Sequence, residues 1–317
     1  MSEGEKDNTG EGETDDTGVG ETDDTGVGEE DGIGADEENG VDEGRGTGGK
    51  AGAERGDRIA KYLARAGVAS RRDAERLLAE GKIRLNNVTV THPATFVTQG
   101  DLVTVDGKLV EEPDRTRLWR YHKPEGLVTT HRDPEGRPTV FDKLRHQLPR
   151  VISVGRLDLT SEGLLLLTND GALARTLELP ATGWIRRYRV RVHGAVEPPA
   201  LAALAKGLTI DGVRYAPIEA GLDSRKGENA WLTVSLKEGR NREIRRVMAH
   251  LGLNVTRLIR IAYGPFQLGT LARGGIEEVP TRVLREQLPK AVVPRAPVAD
   301  TKPAARAKAG GSPRGGR

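Results

Sequence analysis

Residues 155–171 read GRLDLTSEGLLLLTNDG. The four leucines at 164–167, bounded by polar residues and too short for a helix, predict a strand buried on both faces. Asn169, Asp170 and Gly171 then form a turn that caps a following helix. Ahead of the strand, Arg156 and Asp158 stand in a connection between two strands, where rigid scaffolds present functional groups. On spacing alone Asp158 reads first as a turn or cap aspartate satisfying local amides, and second as a reactive carboxylate.

Working outward, segments 118–121, 151–154, 164–168, 187–193 and 230–236 have extended patterns, while 172–178, 199–206 and 242–251 have helical ones. Residues 118–288 therefore predict an α+β domain with a mainly antiparallel sheet. The polar, proline-containing run EEPDRTR at 111–117 predicts a linker. Before it, residues 55–112 predict a small domain: helices at 57–66 and 70–80 separated by Gly67, with Ser70 and Asp73 approximating a capping box and Gly81 as C-terminal cap. Short strands follow at 83–90, turning at Asn86-Asn87, and at 102–105, ending at Asp106-Gly107.

The ends have a different composition. ETDDTGVG at 13–20 recurs unchanged at 21–28, in a stretch almost free of large apolar residues, so 1–54 is expected to be a disordered acidic tail. Such a tail can shield a basic body, although a solvated segment is the simpler reading. Residues 289–317, rich in Pro, Ala and Gly, are expected to be a disordered basic tail. The total charge of +2 hides this asymmetry: residues 1–50 hold 18 acids against 3 bases, a net of −15, which leaves +17 for the rest. A body that basic attracts polyanions, and nucleic acid is the leading partner class.

No cysteine is present, which excludes disulfides, thiolate nucleophiles and cysteine-ligated metals and fits a reducing cytoplasm. No apolar run approaches the roughly 20 residues that span a bilayer. The acidic start lacks the layout of a signal peptide, so the protein is expected to be cytoplasmic. No P-loop or dinucleotide-binding glycine fingerprint follows a strand. A glycoside hydrolase pairing Asp158 with Glu162 is disfavoured, because the chain has only 3 Trp, 5 Tyr and 3 Phe for stacking on sugars, and its basic body suits a polyanion.

Four motifs in order resemble the RsuA/RluB family of pseudouridine synthases. HKPEGLVTT at 122–130 resembles its first strand and turn, and GRLD followed by TSEGLLLLTNDG the segment with its catalytic aspartate. RRYRVRV at 186–192 resembles the strand with its active-site tyrosine, and EGRNREIRRVMAHLG at 238–252 its closing helix. RIAKYLARAGVASRRDAERLLAEGKIRLN, within 57–112, resembles the alpha-L RNA-binding module of a small-subunit ribosomal protein. The likeness implies an enzyme that turns uridine into pseudouridine in ribosomal RNA, with the large subunit preferred and no cofactor or metal.

It further implies Asp158 as the catalytic carboxylate, Tyr188 stacking on the uracil and Arg245 forming an ion pair with Asp158. Arg156 would fill the stack vacated by the flipped base. Ser70, Arg71, Arg72 and Lys82 would meet RNA phosphates, and Arg240 and Arg242 would be phosphate contacts or surface charges. Partners implied are ribosomal RNA and assembly intermediates, with the protein a monomer. The pair Arg186-Arg187 departs from the lysine and threonine common in the family. A non-catalytic assembly factor on the same fold is the alternative.

Overall fold

In the computed structural model of the protein, the described residues are 56–179 and 182–288. Both predicted tails, 1–54 and 289–317, lie outside the described residues. The first domain runs β1 (Asp57–Arg58), α1 (Ile59–Arg65), α2 (Arg71–Ala79), β2 (Ile83–Leu85), β3 (Val88–Thr89), β4 (Phe96–Val97), β5 (Val103–Val105) and β6 (Lys108–Leu109). Ile59, Leu63, Ala74 and Ile83 form its core together with Val103 and Val105. The predicted turns are real: Asn86, Asn87 and Asp106 have positive φ, as tight hairpins require. The first helix starts two residues later than expected, because Asp57 and Arg58 pair with Val97 and Phe96 instead.

Ser70 caps α2. Its hydroxyl accepts from the Asp73 amide at 3.0 Å and donates to the Asp73 carboxylate at 2.7 Å. Ser70→Ala should therefore lower stability by about 1 kcal/mol, read as a shifted denaturant midpoint with an unchanged slope.

The predicted linker is clamped. Asn169 accepts from the Arg117 amide and donates to the Arg115 carbonyl, while Asp170 takes the Thr116 hydroxyl at 2.6 Å and also caps the next helix through the Ala172 amide. The turn seen in the sequence thus does two jobs.

The second domain comprises β7 (Leu118–Lys123), α3 (Val140–Leu144), β8 (Ile152–Val154), β9 (Glu162–Thr168), α4 (Gly171–Glu178), β10 (Arg186–His193), α5 (Pro198–Ala203), β11 (Leu208–Ile210), β12 (Val213–Tyr215), β13 (Ile218–Lys226), β14 (Asn229–Leu236), α6 (Glu243–His250), β15 (Asn254–Tyr263), β16 (Phe266–Gln267), β17 (Ile276–Glu278) and α7 (Thr281–Gln287). Its sheet orders as β13-β14-β10-β15-β9-β7-β17, with β16 beside β15 and β8 beside β9. All pairings in it are antiparallel except β15 with β9. The α+β class therefore stands.

The leucines of β9 are fully buried on both sides. Leu165 and Leu167 join Tyr188, Val190, Leu201, Val247 and Met248 in a core under α3, α5 and α6. Leu164 and Leu166 join Leu173, Leu177 and Leu284 in a second core under α4 and α7. Several elements were not anticipated, among them β13, β15 and α7. Exposure explains β13, whose residues from Gly221 onward are all exposed and so carry no apolar alternation.

Candidate active site

Asp158 sits on the loop between β8 and β9, and that loop is fixed almost peptide by peptide. The Gly155 amide donates to Glu178 at 2.7 Å. The Thr129 hydroxyl donates to the Leu157 carbonyl at 2.8 Å, and the Gly126 amide to the Leu159 carbonyl at 2.8 Å. Lys123 Nζ donates to the carbonyls of Asp158 and Ser161 as well as Pro124, at 2.9 to 3.0 Å. Arg245 holds the Thr160 carbonyl from the far side at 3.0 Å. Segment 122–130 and helix α6 thus exist, from the site's viewpoint, to hold one loop still, which is how a carboxylate is kept in a productive position.

Asp158 and Tyr188 line one cavity of about 340 Å³ together with Arg156, Arg186, Arg242, Glu243 and other residues of the sheet and of α6. Tyr188 is 8% exposed and faces inward from β10, on the face opposite to its neighbours Arg187 and Arg189. Asp158, Arg156 and Arg242 also line an adjoining hollow of about 350 Å³ with Arg132 and Arg137. The carboxylate therefore stands at a ridge between two polar spaces rimmed by arginines. Arg242 takes a left-handed backbone, φ 52°, where the chain turns into α6.

The expected ion pair between Asp158 and Arg245 is not formed among the described residues. Arg245 spends its two terminal nitrogens on the Thr160 and Val255 carbonyls, each at 3.0 Å. It is close enough for the Asp158 charge to be felt, yet burial dominates and lowers its pKa from the ordinary arginine value. Both terminal nitrogens are thereby occupied by backbone carbonyls instead of the carboxylate.

A second cation was missed. Lys123 is wholly buried. Burial pushes its pKa down to about 8, opposed chiefly by the Asp158 charge. Strand alternation signals it, since Lys123 shares the inward side of β7 with Trp119 and Tyr121. Between pH 8 and the ordinary lysine value the unfolded chain keeps a proton that the folded chain has released, so this group makes stability rise with pH across that window. Relative to Lys123→Met, the wild type should gain up to about 3 kcal/mol as pH increases from 7 to 10.5, measured by denaturant titration at each pH. A flat difference would show that burial does not lower the pKa of this lysine.

Two other buried groups were also not anticipated. Glu243, 3% exposed, accepts from the Arg240 amide at 2.9 Å, and burial raises its pKa. Arg260, 3% exposed, is the cross-strand neighbour of Tyr188 and donates to the Leu164 carbonyl at 2.7 Å. Glu162 does not join Asp158. It is paired with Arg257 and Arg273 and lines neither hollow, so the carboxylate pair of the glycosidase reading is not assembled. Among the described residues no group of three or more His, Asp or Glu side chains is placed to hold a metal ion.

In the first domain, Arg71 and Arg72 are exposed at the start of α2, as expected for anion contacts. Ser70 is committed to its cap, and Lys82 is paired with Glu80 at 2.6 Å. Arg240 is paired with Glu238, whereas among the described residues no salt bridge engages Arg242 or Arg156, which line the hollows beside Asp158.

A family model described as RNA pseudouridylate synthase matches residues 117–250, and one for the S4 domain matches 57–103. A Rickettsia prowazekii protein named as an uncharacterized RNA pseudouridine synthase is 47% identical over 232 residues, covering 73% of this chain and 97% of its own length. The chain belongs to the RNA pseudouridine synthases. The ribosomal large subunit pseudouridine synthase B of Pasteurella multocida is 41% identical to this synthase over 267 residues, 80% of this chain and 77% of the relative. A solved pseudouridylate synthase superimposes with a TM-score of 0.51 at 24% identity, covering 73% of this chain and 99% of that one, and shows the shared fold. The S4 match falls on the two-helix domain that resembles the alpha-L module, so the synthase carries an RNA-binding domain ahead of its catalytic domain.

Proposed function

We propose that this synthase converts a uridine of large-subunit ribosomal RNA into pseudouridine, with Asp158 as the carboxylate that acts at the anomeric carbon. The observation that carries the reading is the placement of Asp158 on an immobilised loop in one cavity with Tyr188. The names of the relatives support the large subunit as substrate. Uracil must leave C1′ through N1, turn, and return through C5, which needs no external electron donor or acceptor. Both available routes, attack of the carboxylate on C1′ and carboxylate-assisted elimination, begin with ionised Asp158 beside the sugar.

The Tyr188 ring stacks on the extruded base, and its hydroxyl serves the proton transfer that completes the new C–C bond. Arg245 and Lys123 fix the loop that carries the carboxylate. The target must first leave its stack at a cost of a few kcal/mol, and exposed Arg156 is placed to occupy the gap. Arg71 and Arg72 anchor structured RNA, Arg240 and Arg242 contact phosphate near the pocket, and the protein works as a cytoplasmic monomer on rRNA or its assembly intermediates. Pseudouridine mapping by carbodiimide labelling and primer extension, on rRNA from cells with and without the gene, tests this. Loss of one large-subunit site, restored by the wild-type gene, supports it; an unchanged large-subunit profile overturns it.

A further inference from the structure

The two faces of the sheet are not covered alike. The core under α4 and α7 takes no residue from β10, β13 or β14, so among the described residues that half of the sheet has a face without a helix. On it β10 presents Arg187, Arg189, Arg191 and His193, all exposed. Alternate residues of a strand lie about 6.7 Å apart on one face, which makes a ladder of positive charge. Among the described residues no salt bridge engages Arg187, Arg189 or Arg191, although the same-face acids Asp223 and Glu228 have partners in Thr233 and His193. Arg189 lies over the half-buried Trp231 ring, 4.7 Å from its centre, a cation–π contact that positions the guanidinium. Glu219, on the outermost strand, is in register with Ser235, which in turn faces Arg187.

At the Arg187 end the ladder opens into a cavity of about 420 Å³ walled by Trp184 and Ile185, with the amides of Gln267 and Gln287 at its rim. An aromatic wall, paired donors and acceptors and an adjacent row of guanidinium groups suit a nucleobase on a phosphodiester chain. Like charges side by side on a strand repel one another, and a polyanion relieves that cost. Because neighbouring residues of β10 point to opposite faces, this surface lies behind the pocket that Tyr188 enters.

We propose that this face is a second RNA-binding site, in which a single-stranded segment of the same RNA lays its phosphates along Arg187, Arg189 and Arg191 and one base in the Trp184 cavity. The proposal rests on the reading of the chain as an rRNA-modifying enzyme.

Filter binding of a full-length large-subunit rRNA transcript to the full chain, titrated with KCl, tests it. The triple variant Arg187→Thr/Arg189→Thr/Arg191→Thr should bind about tenfold more weakly near physiological salt, and its log–log salt slope should fall by about 2, given roughly 0.7 per phosphate contact on single strands. Its single-turnover rate at saturating RNA should match wild type, which also shows that the pocket has folded, and the corresponding triple lysine variant should keep most of the slope. An unchanged slope and affinity in an active triple threonine variant overturns the proposal. So does a gain of affinity matched by deletion of residues 1–50, which would make the chain's own acidic segment the occupant. Absence of any pseudouridine formation by the wild type would instead sink the enzymatic reading.

Discussion

Asp158→Asn is expected to reduce pseudouridine formation by at least about a thousandfold while leaving RNA affinity within about twofold of wild type. The amide has the shape of the carboxylate but neither its charge nor its nucleophilicity, and no other acid can substitute. Glu243 is tied to the Arg240 amide and raised in pKa, Glu178 to the Gly155 amide, and Glu162 faces Arg257 and Arg273. The loop does not depend on the carboxylate either, since Lys123 and Arg245 grip its carbonyls, so the variant should fold normally. Single-turnover conversion of bound rRNA, with filter binding in parallel, gives both readings. Conversion within tenfold of wild type by a folded Asp158→Asn protein would remove Asp158 from the reaction.

Gly163→Ala is expected to lower stability by about 4 kcal/mol, the largest single-methyl effect anticipated in the catalytic domain. Gly163 has φ +105°, a region that L-residues avoid, and it lies where β9 and β15 run parallel. A Cβ there would come within 2.3 Å of the Arg260 carbonyl oxygen and 2.7 Å of its nitrogen. Neither atom can yield without separating the two strands. Since Arg260 is the cross-strand partner of Tyr188 and Asp158 lies five residues upstream, the residual folded protein should also be slow. Urea unfolding followed by far-UV circular dichroism measures the loss; a midpoint equal to wild type would show that the close approach relaxes at no cost.

Much of this molecule was legible in its residues. The leucine run of β9, the cap at Ser70 and the glycine and asparagine turns are local events, set by side-chain size, a short hydroxyl or permission for positive φ. They required no knowledge of what lies across the fold. The ordered motifs likewise pointed to Asp158, Tyr188 and Arg245; Asp158 and Tyr188 line one cavity, and Arg245 reaches the Asp158 loop through the Thr160 carbonyl without pairing with the carboxylate.

What the sequence did not contain were relations between distant segments. Lys123 is written as a cation but serves as a buried clamp, because three carbonyls from Pro124 and the Asp158 loop converge on it. Arg245 is written as a partner for a carboxylate but reaches carbonyls of Thr160 and Val255 first. The arginines of β10 alternate with apolar residues in any reading, yet only the packing of α4 and α7 over the other half of the sheet leaves their face without a helix among the described residues. Periodicity fixes which residues share a face of one strand. Which face is buried, and what a charged group meets there, depends on contacts many residues apart, and only the tertiary structure decides them.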